Sequence, residues 1–389
     1  MMSDDLNHRS LEKARVALVY DRVNKWGGAE RIILALKKIF PQASLYTAVY
    51  NPVSASWAKS FRVVSSFLQG FPLARINHEF YPWLTPLAFE SFDFSDFDIV
   101  ISLTSAEAKG VITKPETLHL CYCLTPTRYL WSGRNDYFRF PGFGSLDSLA
   151  RGFLRLIFPY LLRWDQVASQ RPDYYLTISK NVKKRITKYY HRESKVIYPA
   201  IDIKKFQISN FKFQIKASPE KFFLVVSRLV PYKKVDLAIR AFNRLKLPLK
   251  IIGVGSQLKN LKKIAAANIE FLGKLTDKEL IRYYYTCQAA ICPQEEDFGL
   301  VPLEAQACGK PVISFKGGGA LETVIAGKTG DFFYPQTSEA LLKVVKAFES
   351  NRYDPDVCRK NAERFDQKIF IKKFKRKVET IWQAFQRKN

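Results

Sequence analysis

Short runs of consecutive apolar residues punctuate the chain, and most are followed by a segment whose apolar positions recur every three or four residues. Residues 16–20, Val-Ala-Leu-Val-Tyr, are the first such run, continuous in apolar character as strands buried on both faces of a parallel sheet are. The chain then passes through residues 21–26 and Gly27-Gly28 into residues 29–40, where Ile32, Ile33, Leu36 and Ile39 share one side of a helix. Further strands are predicted at residues 44–47, 99–103, 118–123, 174–178 and 195–198, with a basic helix at 180–190. Residues 71–94 are rich in Phe, Trp, Tyr and Pro, fit neither period, and read as irregular connection with a short helix. Residues 125–143 read as a long aromatic and basic loop of a kind that compact domains keep for function. Residues 146–170 read as a basic amphipathic helix or helix pair broken at Pro159, with Leu149, Phe153, Leu156, Ile157 and Leu161 as its apolar face.

The second half alternates more regularly. Strands at 222–226, 250–252, 269–272, 289–292 and 312–314 lead to helices at 235–245, 257–266, 277–286, one closed by Gly309, and 320–325. Thr276 and Glu279 stand three apart, as a capping box requires. Helices at 338–348 and 367–386 finish the chain. Repeated strand–helix units with short apolar strands mean parallel sheets covered by helices, and 389 residues exceed what one core usually serves. The expected architecture is α/β: two doubly wound, Rossmann-like domains facing across a cleft. Residues 1–13 form a flexible lead-in, 14–200 the first domain, 201–366 the second, and 367–389 a helix packing back on the first, with residues 200–220 a polar, turn-rich connection.

Composition narrows the function classes. Apolar content of 47% excludes a largely disordered chain, and no apolar run reaches the eighteen or more residues a membrane span needs. The first fourteen residues lack an apolar signal core, so a cytoplasmic protein is expected. Six scattered Cys without a CxxC pair support neither a disulfide framework nor a zinc site. The carboxylate pairs Asp96/Asp98 and Asp354/Asp356 flank a strand start and a turn, and hard cations need more converging oxygens than that, so no metal site is expected. Sixty-two Lys and Arg against 36 Asp and Glu leave a net charge of +26, spread along the chain. Such an excess fits nucleic acid, an anionic membrane surface or a phosphorylated substrate.

Candidate chemistry lies where doubly wound folds bind ligands, beyond the carboxyl ends of the strands. Four second-half features fall there: Arg228 with Lys233, Gly253-Val254-Gly255, Glu296 to Glu304, and Gly317-Gly318-Gly319. Arg and Lys can neutralise a diphosphate, Arg as a fork. Two carboxylates can each hold the hydroxyls of one sugar, and glycine turns let backbone N–H groups approach phosphate. In the first half, Gly27-Gly28 before a helix can present N–H groups to an anion, or can serve only a tight turn. Two polyols joined by a diphosphate describe a nucleotide-sugar. Taken alone, the stretch 294–311 also reads as a solvated acidic loop at a helix start.

In these motifs the chain resembles the family 4 retaining glycosyltransferases of the GT-B fold, over nearly its whole length. The resemblance is carried by residues 27–31 (Gly-Gly-Ala-Glu-Arg), 227–233 (Ser-Arg-Leu-Val-Pro-Tyr-Lys), the pair Glu296 and Glu304 with seven residues between, and 317–324 (Gly-Gly-Gly-Ala-Leu-Glu-Thr-Val). It implies that Glu296 contacts the hydroxyls of the donor sugar and Glu304 the nucleotide ribose. Arg228 and Lys233 bind the diphosphate and stabilise the leaving group. Backbone groups at Phe298, Gly299, Leu300 and Val301 contact donor oxygens, and Gly27 and Gly28 face the phosphate from the other domain. Catalysis then rests on Arg228, Lys233 and Glu296, without metal or cofactor beyond the nucleotide-sugar co-substrate. The pattern is most similar to bacterial mannosyltransferases, which implies GDP-mannose as donor and a lipid-linked or glycan acceptor. It places the protein peripherally on the inner face of the plasma membrane, against an anionic surface and without nucleic acid.

One position departs from the family. Relatives carry His in Tyr-Cys-His-Thr-Pro, where this chain has Leu124 in Cys121-Tyr122-Cys123-Leu124-Thr125-Pro126, and Leu can neither bond a hydroxyl nor carry a proton. Of the four histidines, His119 reads as structural and His78 is the candidate replacement; with Arg128, Tyr129 and Trp131 it is assigned to the acceptor side. Other readings stay open: a UDP- or dTDP-sugar donor, a sugar-nucleotide epimerase acting on donor alone, and a basic membrane- or nucleic-acid-binding protein with a vestigial site.

Overall fold

The computed structural model describes residues 10–139, 147–206 and 221–388, without the side chains of Asp136, Arg139, Leu149 and Ala150. Most of the expected lead-in, residues 1–9, lies outside these, as do the end of the 125–143 loop, residue 146 and most of the 200–220 connection. The chain divides into two compact units, Met1–Pro199 with Phe370–Asn389, and Ala200–Ile369.

The first unit is built on a parallel sheet of β1 (Val16–Tyr20), β2 (Ser44–Thr47), β3 (Val63–Ser65), β4 (Ile99–Thr104), β5 (Leu118–Cys123), β6 (Tyr174–Thr177) and β7 (Lys195–Val196), in the order β3-β2-β1-β4-β5-β6-β7. Its central strands are buried at every position; β1 reads as an unbroken apolar run, while β4 and β5 carry buried Ser102, Thr104 and His119 among apolar residues. The connections include α1 (Gly28–Ile39), α2 (Thr85–Glu90), α3 (Arg134–Arg139), α4 (Asp147–Ala168) and α5 (Lys180–Tyr190). The second unit repeats the plan with β8 (Phe223–Val226), β9 (Leu249–Ile252), β10 (Ile269–Gly273), β11 (Ala290–Cys292), β12 (Val312–Phe315) and β13 (Gly330–Phe333), ordered β10-β9-β8-β11-β12-β13 and parallel throughout. Its helices are α6 (Val235–Leu245), α7 (Leu258–Ile264), α8 (Asp277–Thr286), α9 (Leu300–Ala307), α10 (Ala320–Thr323), α11 (Ser338–Lys346) and α12 (Pro355–Glu363). The final helix, α13 (Gln367–Lys388), joins the first unit from Phe370 onward, where Phe370 and Phe374 lie 6.1 and 5.3 Å from the ring of Tyr122 on β5. Both sheets have the order expected of doubly wound folds, with the chain reversing direction between the first and fourth strand of each unit.

Several elements differ from the sequence reading. The helix of residues 147–168 is continuous through Pro159 instead of breaking there. Proline removes one backbone bond, and the burial of Phe158, Leu161 and Asp165 around it outweighs that loss. Its buried face is consequently Phe158, Leu161 and Ala168, whereas Phe153 and Leu156 are exposed and Ile157 is half-buried. A short helix, α3, interrupts the expected 125–143 loop. Three elements with weak signals were not foreseen: the edge strand β3, the strand β13 that opens on Gly330, and α12, whose N-cap Asp354 accepts from the N–H of Asp356. The capping box of Thr276 and Glu279 forms as the spacing indicates. Leu11–Lys13, at the end of the expected lead-in, is a 3-10 turn with Leu11 buried.

Candidate active site

In the second unit, strands β8 and β11 are neighbours at the reversal point, and their carboxyl ends carry the two halves of the basic–acidic constellation. The loop after β8 holds Arg228 and then a 3-10 turn, Pro231–Lys233, closed by Lys234 at φ +52°. From this turn the Lys233 ammonium forms an ion pair with the Glu296 carboxylate on the loop after β11. Tyr232 sits between the two cations: it accepts a hydrogen bond from the Arg228 guanidinium, and Lys233 Nζ lies 5.2 Å from its ring centroid. Gln294 Nε2 donates to the same Glu296 oxygen at 2.7 Å, so that oxygen receives both a charged and a neutral donor. Gln294 Oε1 is buried with no hydrogen-bond partner.

Glycines set the backbone around this centre. A side chain on Gly255 would place its Cβ 2.3 Å from the carbonyl oxygen of Leu229, so the loop after β9 can lie against the Arg228 loop only without one. Leu229 N donates to Val254 O at 2.9 Å and Gln257 N to Leu229 O at 2.9 Å, which fastens the two loops together. The sequence reading gave these glycines to phosphate; the close approach of the two loops is a packing reason for Gly255 as well. Similarly, Gly319 N donates to Glu296 O at 2.8 Å, and a Cβ at Gly319 would stand 2.3 Å from Phe298 Cα. The glycine turn after β12 thus holds the backbone of Glu296 in place.

Glu304 is placed differently. It lies on α9, behind the N-cap Gly299 at φ +93°, is 5% exposed, and accepts from the Tyr284 hydroxyl at 2.9 Å. Burial, and then the Glu304 charge, push the Tyr284 phenol well above its ordinary pKa, so it remains a donor. Phe298 is buried against Phe365, 5.5 Å between centroids, which leaves its backbone as the part able to reach a ligand, while Leu300 and Val301 form the half-buried first turn of α9.

In the first unit, Gly27 caps α1, and Glu30 of that helix accepts from the buried Tyr20 hydroxyl at 2.7 Å. Asp21, the first residue past β1, accepts from Thr104 Oγ1, Ser105 N, Ser105 Oγ and Ala108 N at 2.7 to 3.1 Å, fixing the turn after β4. That turn carries Glu107, which accepts from the Tyr129 hydroxyl. Burial, reinforced by the Asp21 charge, pushes the Glu107 carboxyl up to about 7. Trp131 donates to Asp165 at 2.8 Å, and Asp165 pairs with buried Lys109 at 2.5 Å. Tyr129 and Trp131 are therefore tied into a buried network, while Arg128 is half-buried with its stem over Gly133. His78 is buried, 3.3 Å from Arg22 and 3.1 Å from Glu79; burial lowers its pKa, so it is neutral at pH 7. His119 bonds Ser102 at 2.9 Å inside the sheet, where burial lowers it to about 3, which is a structural role. Leu124 is half-buried, its N–H donating to Thr104 O at 2.8 Å. Among the described residues no group of three or more His, Cys, Asp or Glu is placed to hold a metal ion.

The sequence reading missed Gln294, Tyr232 and Tyr284, which orient the charged groups. Tyr232 was visible inside the 227–233 motif and Gln294 two residues before Glu296, but neutral side chains carry no signal of their own until the pairing is known. Asp21 and Glu107 come together only through the adjacency of β1 and β4.

Residues 207–365 match the family described as Glycosyl transferases group 1. Among characterised relatives, the chain is similar to the alpha-1,3/1,6-mannosyltransferase ALG2 of Dictyostelium discoideum, 27% identical over 52% of this chain and 58% of that one. It is also similar to the GDP-mannose-dependent alpha-(1-6)-phosphatidylinositol monomannoside mannosyltransferase of Mycolicibacterium smegmatis, 36% identical over 27% of this chain and 32% of that one. The chain spans about half the length of the first curated relatives it matches. In fold it is similar to Anabaena Alr3699/HepE, solved in complex with UDP, with a TM-score of 0.69 at 17% identity over 94% of this chain and 100% of that one. The two sheets and their helices have the GT-B fold.

Proposed function

Starting from a chain that carries a glycosyltransferase group 1 domain at residues 207–365, we propose that the protein is a retaining glycosyltransferase that moves mannose from GDP-mannose to a lipid-linked or polysaccharide acceptor at the cytoplasmic membrane face. The observation that carries the reading is the Lys233–Glu296 ion pair at the switch point of the second sheet. An incoming diphosphate competes for the Lys233 ammonium with Arg228 beside it, and the carboxylate so released accepts from the hydroxyls of the sugar. As the bond between sugar and diphosphate breaks, negative charge grows on the departing phosphate, and the fixed cations meet it without reorganising. Glu304, held by Tyr284, accepts from the ribose hydroxyls. No metal is required for this charge balance, and acceptor recognition belongs to the first unit. Leu124 supplies no base, so the leaving diphosphate takes the acceptor proton.

The mannosyl donor is supported by the resemblance to mannosyltransferases, among them a relative whose name specifies GDP-mannose. A UDP-sugar donor is the second reading, favoured by the fold neighbour bound to UDP. Purified protein incubated with a panel of GDP-, UDP- and dTDP-sugars separates them. Release of GDP from GDP-mannose alone is expected; turnover of UDP-sugars with GDP-mannose inert would replace the first reading by the second, and an inert panel would end both. Proton NMR of the product tests retention of the anomeric configuration.

A further inference from the structure

The first unit carries an apolar strip that its own core does not use. Phe67, Phe71 and Ile76, between β3 and α2, are 45%, 38% and 62% exposed, and Phe153, Leu156 and Tyr160 on α4 are 41%, 78% and 47% exposed. Aromatic rings connect the two segments. Ring centroids step from Phe67 to Phe71 at 6.1 Å, to Tyr81 at 5.3 Å, to Trp83 at 5.9 Å and to Phe153 at 5.0 Å. On α4 the spacing 153, 156, 160 sets the exposed residues along one stripe, beside the buried stripe of Phe158, Leu161 and Ala168.

The charges around the strip are mainly basic. Residues 148–164 hold Arg151, Arg155 and Arg163 and no acid. In the 67–80 segment Arg75 is exposed, and the single acid, Glu79, lies 3.1 Å from His78. Contiguous exposed apolar surface marks an interaction site. Aromatic rings linked edge to edge and bordered by arginines match the chemistry of a bilayer interface, where rings settle at headgroup level and guanidinium groups meet lipid phosphate.

We propose that this strip docks the protein on an anionic lipid surface, with Ile76, Phe153 and Leu156 entering the headgroup layer and Arg75, Arg155 and Arg163 pairing with lipid phosphates. The assignment deepens the membrane-side part of the proposed function, and rests on it for lipid as the occupant; it needs neither the donor nor the transfer step. A net charge of +26 attracts the protein to anionic lipid from a distance, but that attraction is screened by salt, whereas apolar insertion is not.

The test is co-sedimentation of the full chain with vesicles of phosphatidylcholine alone and of phosphatidylcholine mixed with phosphatidylglycerol, at low and high salt. Wild type should bind the mixed vesicles and keep part of that binding at high salt. The double variant Ile76→Ser/Leu156→Ser changes exposed residues and should melt like wild type, yet its partitioning should fall roughly tenfold for each residue changed. Unchanged partitioning in the variant, complete loss of wild-type binding at high salt, or no vesicle binding at all would overturn the proposal. So would a wild-type dimer that the variant converts to monomer in analytical ultracentrifugation, since the strip would then join two copies. GDP-mannose binding by calorimetry is followed in parallel: vesicle binding without donor binding would end the proposed function and leave the docking surface standing.

Discussion

Lys233 and Glu296 neutralise each other across two loops, and the groups around them are there to hold that geometry. Gly319 is the position where this is most exposed to test. A methyl group there meets the Phe298 backbone at 2.3 Å, so Gly319→Ala should displace the Glu296 loop, lower stability by about 2 kcal/mol and weaken donor binding. Thermal melts and calorimetry on the variant check this; wild-type values in both would show that the turn does not position Glu296. Glu107 gives a prediction in pH. Its folded carboxyl titrates at about 7 against an ordinary value of 4.5, with Asp21, Tyr129, Lys109 and Asp165 as the charged or titratable groups acting on it. Between those two values the folded state binds the extra proton, so the group's stabilising contribution is present at low pH and lost as pH rises to about 7. Glu107→Gln should remove that dependence while keeping an acceptor for Tyr129. The stability of wild type relative to the variant, from urea melts, should therefore fall by a few kcal/mol across this window, as roughly expected for a shift of this size. A difference independent of pH would contradict the burial assigned to Glu107.

Elements were legible where one periodicity ruled and illegible where packing overruled local rules. The strands of both sheet centres read directly, because burial on both faces leaves few polar positions to blur them. Edge strands β3 and β13 did not: Val63–Ser65 is half-buried along its length, and Gly330 opens β13 with a residue of no β preference. At Pro159 the local rule predicted a break, and tertiary burial of Phe158 and Leu161 on either side kept the helix whole. The candidate site was legible in its charged members, Arg228, Lys233, Glu296 and Glu304, and illegible in the neutral partners that orient them. Pro159 is itself exposed, so Pro159→Ala should restore a helix bond at no packing cost. A proline costs about 3 kcal/mol inside a helix and stiffens the unfolded chain by about 1 kcal/mol, so a net gain of about 2 kcal/mol is expected in thermal melts. A less stable variant would mean that the proline ring makes contacts its exposure does not indicate.

At the scale of the whole molecule, the chain closes its first unit with its last segment. Phe370, Phe374, Val378, Ile381, Trp382 and Phe385 are all buried on α13, and at roughly 2 kcal/mol for each the helix contributes about as much as the entire stability of a domain. Truncation after Ile369 should leave Tyr122 uncovered and abolish the cooperative melting of the first unit, with dye-binding apolar surface exposed; an unchanged melt would show that α13 is dispensable. Apart from Gly27 and Gly28, the donor-binding residues assigned above lie in the second unit, and the central claim is that its Lys233–Glu296 pair opens to take a nucleoside diphosphate sugar. The most direct measurement is calorimetric titration of wild type, Lys233→Ala and Glu296→Gln with GDP-mannose and with GDP. Wild type should bind both ligands. Lys233→Ala should lose affinity for both, because the diphosphate contact is gone, whereas Glu296→Gln should bind GDP at least as tightly as wild type and lose the additional affinity that the sugar confers. Equal affinities in all three proteins, or no binding of either ligand to wild type, would contradict the account.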